Sequence, residues 1–139
     1  MERWSDQPSS NGRLRVSRSH GDPVVLALAG ELDTATLLSA ARPLAMVLAE
    51  RPPPHAVVVD LTELRFLAVA GARMLHAAVD YAAGKTAVRI ALGPNQMVAR
   101  VFAVTGLAAM LDTYPDRTTA LQAGRRDQFV QWAQQLWHS

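Results

Sequence analysis

The sequence predicts an α/β domain: a mixed, mostly parallel sheet of four to five strands with helices packed on it, followed by an amphipathic C-terminal helix. Three observations carry this. Short β-branched and aliphatic runs alternate with stretches whose apolar residues recur every three or four positions. The run Ala56-Val57-Val58-Val59 is continuously apolar, as in a strand covered on both faces by helices. Gly and Pro punctuate the boundaries between runs.

Residues Met1 to Gly12 are polar, with a lone Trp4, and bury too little surface to offset their ordering; a flexible arm is expected. The domain proper is expected over residues 13–123 and a C-terminal helix over 124–139. Leu14–Arg18 and Val24–Ala29 flank the turn residues His20-Gly21-Asp22-Pro23 and predict a hairpin. After Gly30-Glu31-Leu32-Asp33, the residues Leu37, Ala41, Leu44 and Leu48 share one helical face. Asp33, Thr34 or Thr36 can cap that helix through a side-chain oxygen. Pro43 lies inside it and predicts a kink or break near Ser39 to Arg42, and Pro52-Pro53-Pro54 ends it.

Ala56–Val59 predicts the central strand. The Ala-rich stretch from Ala68 to Ala82 predicts a helix with Ala72, Leu75, Val79 and Ala82 on one face and Gly84 at its stop. Ala87–Leu92 predicts a strand, and Asn95 opens a helix on which Val98, Val101 and Phe102 share a face until Gly106. A short strand at Leu111–Tyr114 and a helix at Asp116–Ala123 follow. Gly124 marks a joint, and from about Arg125 the residues Phe129, Trp132, Ala133, Leu136 and Trp137 form an apolar stripe. That tail can fold back on the domain, pair two copies as a homodimer, or dock a partner helix. Folding back is favoured, because two tryptophans bury a large area against the chain's own sheet or helices.

Half of the 139 residues are apolar, enough for one core and too few for two ordinary domains. Fourteen basic residues stand against twelve acidic ones. Arg42, Arg51, Arg65, Arg73, Arg89 and Arg100 are spread along expected helices and loops, which argues against a nucleic-acid footprint and for scattered solubilising charge. Without cysteine there is no disulfide, thiolate ligand or thiol switch. No secretory leader and no apolar run long enough to span a membrane is visible, so the cytoplasm is the expected location and no membrane role is expected.

Catalytic signals are missing. His20, His55, His76 and His138 show no metal-ligand spacing, and no nucleophile elbow, phosphate-cradling loop or dinucleotide fingerprint occurs. Glu31 and Asp33 read as acids beside a helix start that favour its dipole, not as a catalytic pair. The expectation is therefore a non-enzymatic domain with no cofactor and no metal.

Three segments, Val25-Leu26-Ala27-Leu28-Ala29-Gly30-Glu31-Leu32-Asp33, Val57-Val58-Val59-Asp60-Leu61-Thr62 with Phe66, and Val101-Phe102-Ala103-Val104-Thr105-Gly106-Leu107, together with the order of elements, resemble the STAS family of bacterial anti-sigma factor antagonists. The resemblance spans about Leu14 to Ala123. It implies a partner, an anti-sigma factor of the kinase-like fold, whose capture frees a sigma factor for transcription. Members of this type are switched by phosphorylation within a Phe-hydrophobic-Asp-Ser-Ser-Gly pattern; here the matching residues are Phe66-Leu67-Ala68-Val69-Ala70-Gly71. The acidic position is Ala68 and the phosphoacceptor position is Ala70, so neither the acid nor the hydroxyl is present.

The resemblance places the partner-binding rim at Asp33, Thr34 and Thr36 and at Leu67, Ala68, Val69, Ala70, Gly71 and Arg73. One of Leu67 and Val69 is expected to be buried. A methyl at residue 70 can carry no phosphoryl charge, which leaves a surface that is permanently uncharged at that point. The rival reading is a small-molecule or nucleotide sensor with a pocket beside Asp33 and the 68–71 loop.

Overall fold

The computed structural model describes residues 4–8 and 13–138, with side chains described outside 4–8, 124–132 and 137–138. In chain order the elements are β1 (Trp4–Pro8), β2 (Leu14–Ser19), β3 (Val24–Leu32), α1 (Leu37–Leu48), β4 (Ala56–Leu67), α2 (Val69–Ala82), β5 (Ala87–Ala91), α3 (Gln96–Val104), a short 3-10 turn at Leu107–Ala109, β6 (Asp112–Tyr114) and α4 (Arg117–His138).

The strands form one mixed sheet in the order β1-β2-β3-β4-β5-β6. β1 to β3 are joined antiparallel, whereas β3, β4, β5 and β6 run parallel. Six strands stand where four to five are expected. The addition is β1, whose residues 4–8 pair along β2 where the sequence suggests a flexible arm. Backbone pairing makes no demand on apolar character, so a polar strand of this kind leaves no hydrophobic signature.

Because the parallel strands advance in one direction, right-handed crossovers carry α1, α2 and α3 to a single face. Alternation along the strands then divides the core. Leu26, Leu28, Val57, Val59 and Ile90 pack beneath those helices with Leu44, Leu75 and Phe102, whereas Val25, Val58 and Ala91 point the other way, toward Ala120 of α4. The continuous run in β4 is thus explained: it is the central strand and it is covered on both sides.

Neither α1 at Pro43 nor α4 at Gly124 is broken. α1 runs unbroken from Leu37 to Leu48 with Pro43 buried inside it. Pro43 lies far enough along the helix that one backbone bond is lost, and burial of its ring with Ala40, Leu44 and Val47 compensates. The buried stripe centres on these residues, so that Leu37 and Leu48 from the expected face are only partly covered. Likewise α4 is one helix from Arg117 to His138, continuing through Gly124 without a joint; an isolated helical glycine weakens a helix but need not end it. Phe129, Trp132 and Trp137 of the expected tail stripe lie outside the described side chains, and Leu136 is exposed.

α4 is anchored at its start by a charge pair. Asp60, 2% exposed on β4, receives a hydrogen bond from Arg117 Nε at 2.7 Å through Oδ2 and one from the Thr62 amide at 2.9 Å through Oδ1. Both carboxylate oxygens are satisfied, as burial of a charge requires.

Candidate partner-binding rim

The expected rim residues come from two segments distant in sequence. β3 and β4 are parallel neighbours whose ends coincide, with Leu32 in register with Leu67 and the Ala68 amide donating to the Leu32 carbonyl at 2.8 Å. The structure therefore brings the start of α1 and the start of α2 side by side.

At α1 the turn 33–36 is closed reciprocally. Asp33 Oδ1 accepts from the amides of Ala35 at 2.9 Å and Thr36 at 3.0 Å, while the Thr36 hydroxyl accepts the Asp33 amide at 2.9 Å and donates to the Glu31 carbonyl at 2.8 Å. This is capping-box logic with Thr36 in the returning position. Thr36 occupies the N-cap of α1 but caps none of its amides; its hydroxyl points back to β3 instead. Arg13 completes the corner, with Nη2 3.0 Å from Asp33 Oδ2 and Nη1 3.4 Å from Glu31 Oε2. Desolvation pushes the Asp33 carboxyl up, but the Thr36 amide, the Arg13 charge, the Thr36 hydroxyl and the Ala35 amide together hold it below its ordinary 3.8.

At α2 the N-cap is Ala68, whose methyl can cap nothing and whose carbonyl accepts the amides of Gly71 at 3.0 Å and Ala72 at 3.3 Å. Gly71 explains how close this helix lies. A Cβ on it would stand 2.9 Å from both Leu32 Cγ and Leu67 Cδ1, so only hydrogen lets the first turn seat on the two strand ends.

The rim residues thus separate by role. Thr34, Val69 and Arg73 are exposed, Asp33, Ala68 and Ala70 are half-buried, and Thr36, Leu67 and Gly71 are buried supports beneath the surface. Of the pair Leu67 and Val69, the first is buried and the second is 43% exposed. Arg13, Leu38, Phe66 and Met97 were not among the expected rim residues. Phe66, next to last in β4, is 41% exposed, and Leu38 and Met97 lie exposed in the first turns of α1 and α3. For Leu38 a signal existed: it falls off the apolar face on which Leu37, Ala41, Leu44 and Leu48 lie.

Among the described residues no cluster of His, Asp and Glu could hold a metal ion, and no helix is long and apolar enough to cross a membrane. A cavity lined by Leu48, Arg51, Tyr81, Lys85 and Thr86 lies at the other ends of α1 and α2, away from the Asp33 corner where the rival sensor reading puts its pocket.

A family model described as "Mlab, STAS domain" matches residues 16–112, more than half of the chain and both segments of the rim. The chain belongs to the STAS domain family. Among solved structures, this STAS domain is similar to an anti-sigma factor antagonist from Mycobacterium paratuberculosis, with a TM-score of 0.75 and 24% identity over 86% of this chain and 99% of that one. It is also similar to the anti-sigma factor antagonist SpoIIAA in its unphosphorylated form, with a TM-score of 0.54 and 20% identity over 73% of this chain and 87% of that one. No curated protein matches the sequence. At these identities the similarity establishes the fold, and it agrees with the mixed, mostly parallel sheet described above.

Proposed function

We propose that this STAS domain is an anti-sigma factor antagonist that binds an anti-sigma factor of the kinase-like fold through the rim of Asp33, Thr34, Val69, Ala70 and Arg73, relieves inhibition of a sigma factor, and does so without phosphorylation at residue 70. It acts in the cytoplasm as a binding module, not as an enzyme.

The observation that carries this reading is the start of α2. Ala68 and Ala70 are half-buried beside exposed Val69, and no hydroxyl or acid occupies the first turn of this helix. A phosphoryl group would add close to two negative charges and desolvate poorly against a partner; a methyl leaves the surface competent at all times. Two solved antagonists share the fold and support the class of function. Control then falls on the abundance of the protein or on a signal elsewhere in the chain.

The test is to incubate the purified protein with purified kinase-like anti-sigma factors of the same cell and ATP, following complex formation by size exclusion and phosphate incorporation by intact mass. A complex that persists in ATP with no added phosphate supports the proposal. Phosphorylation at Thr34 or elsewhere that dissolves the complex would refute the unswitched reading, and no complex at all would refute the antagonist function.

A further inference from the structure

α4 starts against the sheet and then runs past it. Arg117 bonds to Asp60, the fifth residue of β4, and Ala120 packs with Val58, the third, together with Val25 and Ala91. The helix therefore descends antiparallel to β4. A helix rises about 1.5 Å per residue and a strand about 3.3 Å, so α4 draws level with Ala56, where β4 begins, near Gly124. Residues 125–138 carry it roughly 21 Å further, at the end of the sheet opposite the Asp33 corner.

The docked half fixes which side of the helix faces outward. Ala120 is buried, Arg117 and Leu121 are half-buried, and Thr118 and Gln122 are exposed. Steps of three and four residues, which stay on one side of a helix, lead from Thr118 and Gln122 to Phe129, Trp132, Ala133 and Leu136. The apolar stripe thus continues the outward side of the docked half, about 130° around the helix from the face made by Arg117, Ala120 and Leu121. Past Gly124, among the residues with described side chains, Ala133 is half-buried and Gln134, Gln135 and Leu136 are exposed. Folding back, the outcome the sequence favours, needs a turn in the chain near Gly124, and α4 has none there.

We propose that two copies of this chain pair through residues 125–138 of α4, as antiparallel helices that cover Phe129, Trp132, Leu136 and Trp137 against their counterparts. Area and charge both favour a second copy. An aromatic side chain buries roughly 150–250 Å² when covered, so the three aromatics of each copy bring about 900–1,500 Å² to the pair, close to the roughly 1,200–2,000 Å² of a stable interface. Residues 128–137 carry no charged side chain, so two identical surfaces meet there without repulsion. The charges Arg125, Arg126 and Asp127 stand together where the stripe begins. An antiparallel pair sends the two sets to opposite ends, each beside the last turn of the other helix, whose partial negative charge favours the arginines. The rims then face away from each other at the two far ends of the dimer, free to bind.

The experiment follows the full chain by sedimentation equilibrium and thermal melting from about 1 to about 200 μM, for wild type, for W132E/L136E, and for the control Q131E/Q135E, which adds the same charge on the other side of the same turns. Wild type should dimerise with a Kd at or below about 10 μM, W132E/L136E should weaken this at least about 100-fold, and the control should stay within about fivefold. At the lowest concentration W132E/L136E should melt within about 2 °C of monomeric wild type. Disulfide trapping reads the orientation, cleanly because the chain has no cysteine of its own. Mixed F129C and L136C proteins should crosslink to each other, and L136C alone should not crosslink to itself. A wild type that stays monomeric throughout, a dimer that W132E/L136E leaves intact, or self-crosslinking of L136C overturns the inference. Melting of W132E/L136E well below monomeric wild type overturns it by packing the stripe on its own domain. None of these outcomes bears on the rim, so the inference stands or falls apart from the reading under Proposed function.

Discussion

Ala68 donates its backbone N–H to the carbonyl of Leu32 at 2.8 Å, and through this bond the residues before α1 and the residues opening α2 become one surface. Neither partner needs a functional side chain. The bond extends the β3–β4 ladder past Leu67, and Gly71 then lets α2 seat against both strand ends. Ala70 is held at the rim by that seating.

The seating depends on the missing Cβ of Gly71. Leu32 and Leu67 are fully buried and have little freedom to retreat, so Gly71→Ala should destabilise the fold by roughly 1–3 kcal/mol through overpacking. Urea unfolding measures it. A variant as stable as wild type would show that α2 can shift outward at no cost, and the rim would not be rigidly placed.

Thr36 ties β3 to α1 through its hydroxyl. Thr36→Val keeps the shape but leaves the Asp33 amide and Glu31 carbonyl without this partner, which should cost about 1–3 kcal/mol. Thr36→Ser should restore most of it. If Ser behaves like Val in thermal melts, the hydroxyl bonds are not what holds the corner.

α4 should depend on the pair that anchors it. Arg117→Ala leaves the Asp60 carboxylate buried with only the Thr62 amide, and because Arg117 is partly exposed the expected loss is about 1–3 kcal/mol, below that of a fully buried pair. Hydrogen exchange should show faster exchange in α4 with little change in α1 to α3. Uniform acceleration through the whole domain would contradict the anchoring role.

Acid sensitivity follows from three carboxylates held low. At Asp22 desolvation pushes upward, but the amide and ring of His55 and the Ala56 amide pull the carboxyl down; at Asp33 desolvation is likewise outweighed by Thr36 and Arg13; at Asp116 the Thr119 amide dominates. Each folded value lies below the ordinary 3.8, so the stability they contribute is fully present above that pH and is lost as pH falls through the folded values. At the alkaline end, burial, then the hydrogen bond to Asp112, raise Tyr114 above 10.0, and its contribution is lost as pH rises past that value. Denaturation midpoints against pH should fall at both ends, and Asp33→Asn should flatten the acid limb.

Much of the architecture was legible in the sequence because burial is written as periodicity. Val57 to Val59 read as a doubly covered strand, and it is the centre of the sheet. What escaped was held by other means: β1 by backbone pairing alone, α4 by helical continuity across Gly124, and Asp60–Arg117 by a contact spanning 57 residues. The rim was half legible. The departure at Ala68 and Ala70 was plain from the resemblance, whereas the burial of Leu67 beneath exposed Val69 required the fold.

The central claim is that an uncharged Ala70 surface binds the anti-sigma factor. Calorimetric titration of that factor with wild type and Ala70→Glu tests it most directly. Tight wild-type binding, weakened at least about 100-fold by the permanent charge, is the predicted result; equal binding by the two proteins would place the contact elsewhere and contradict the account.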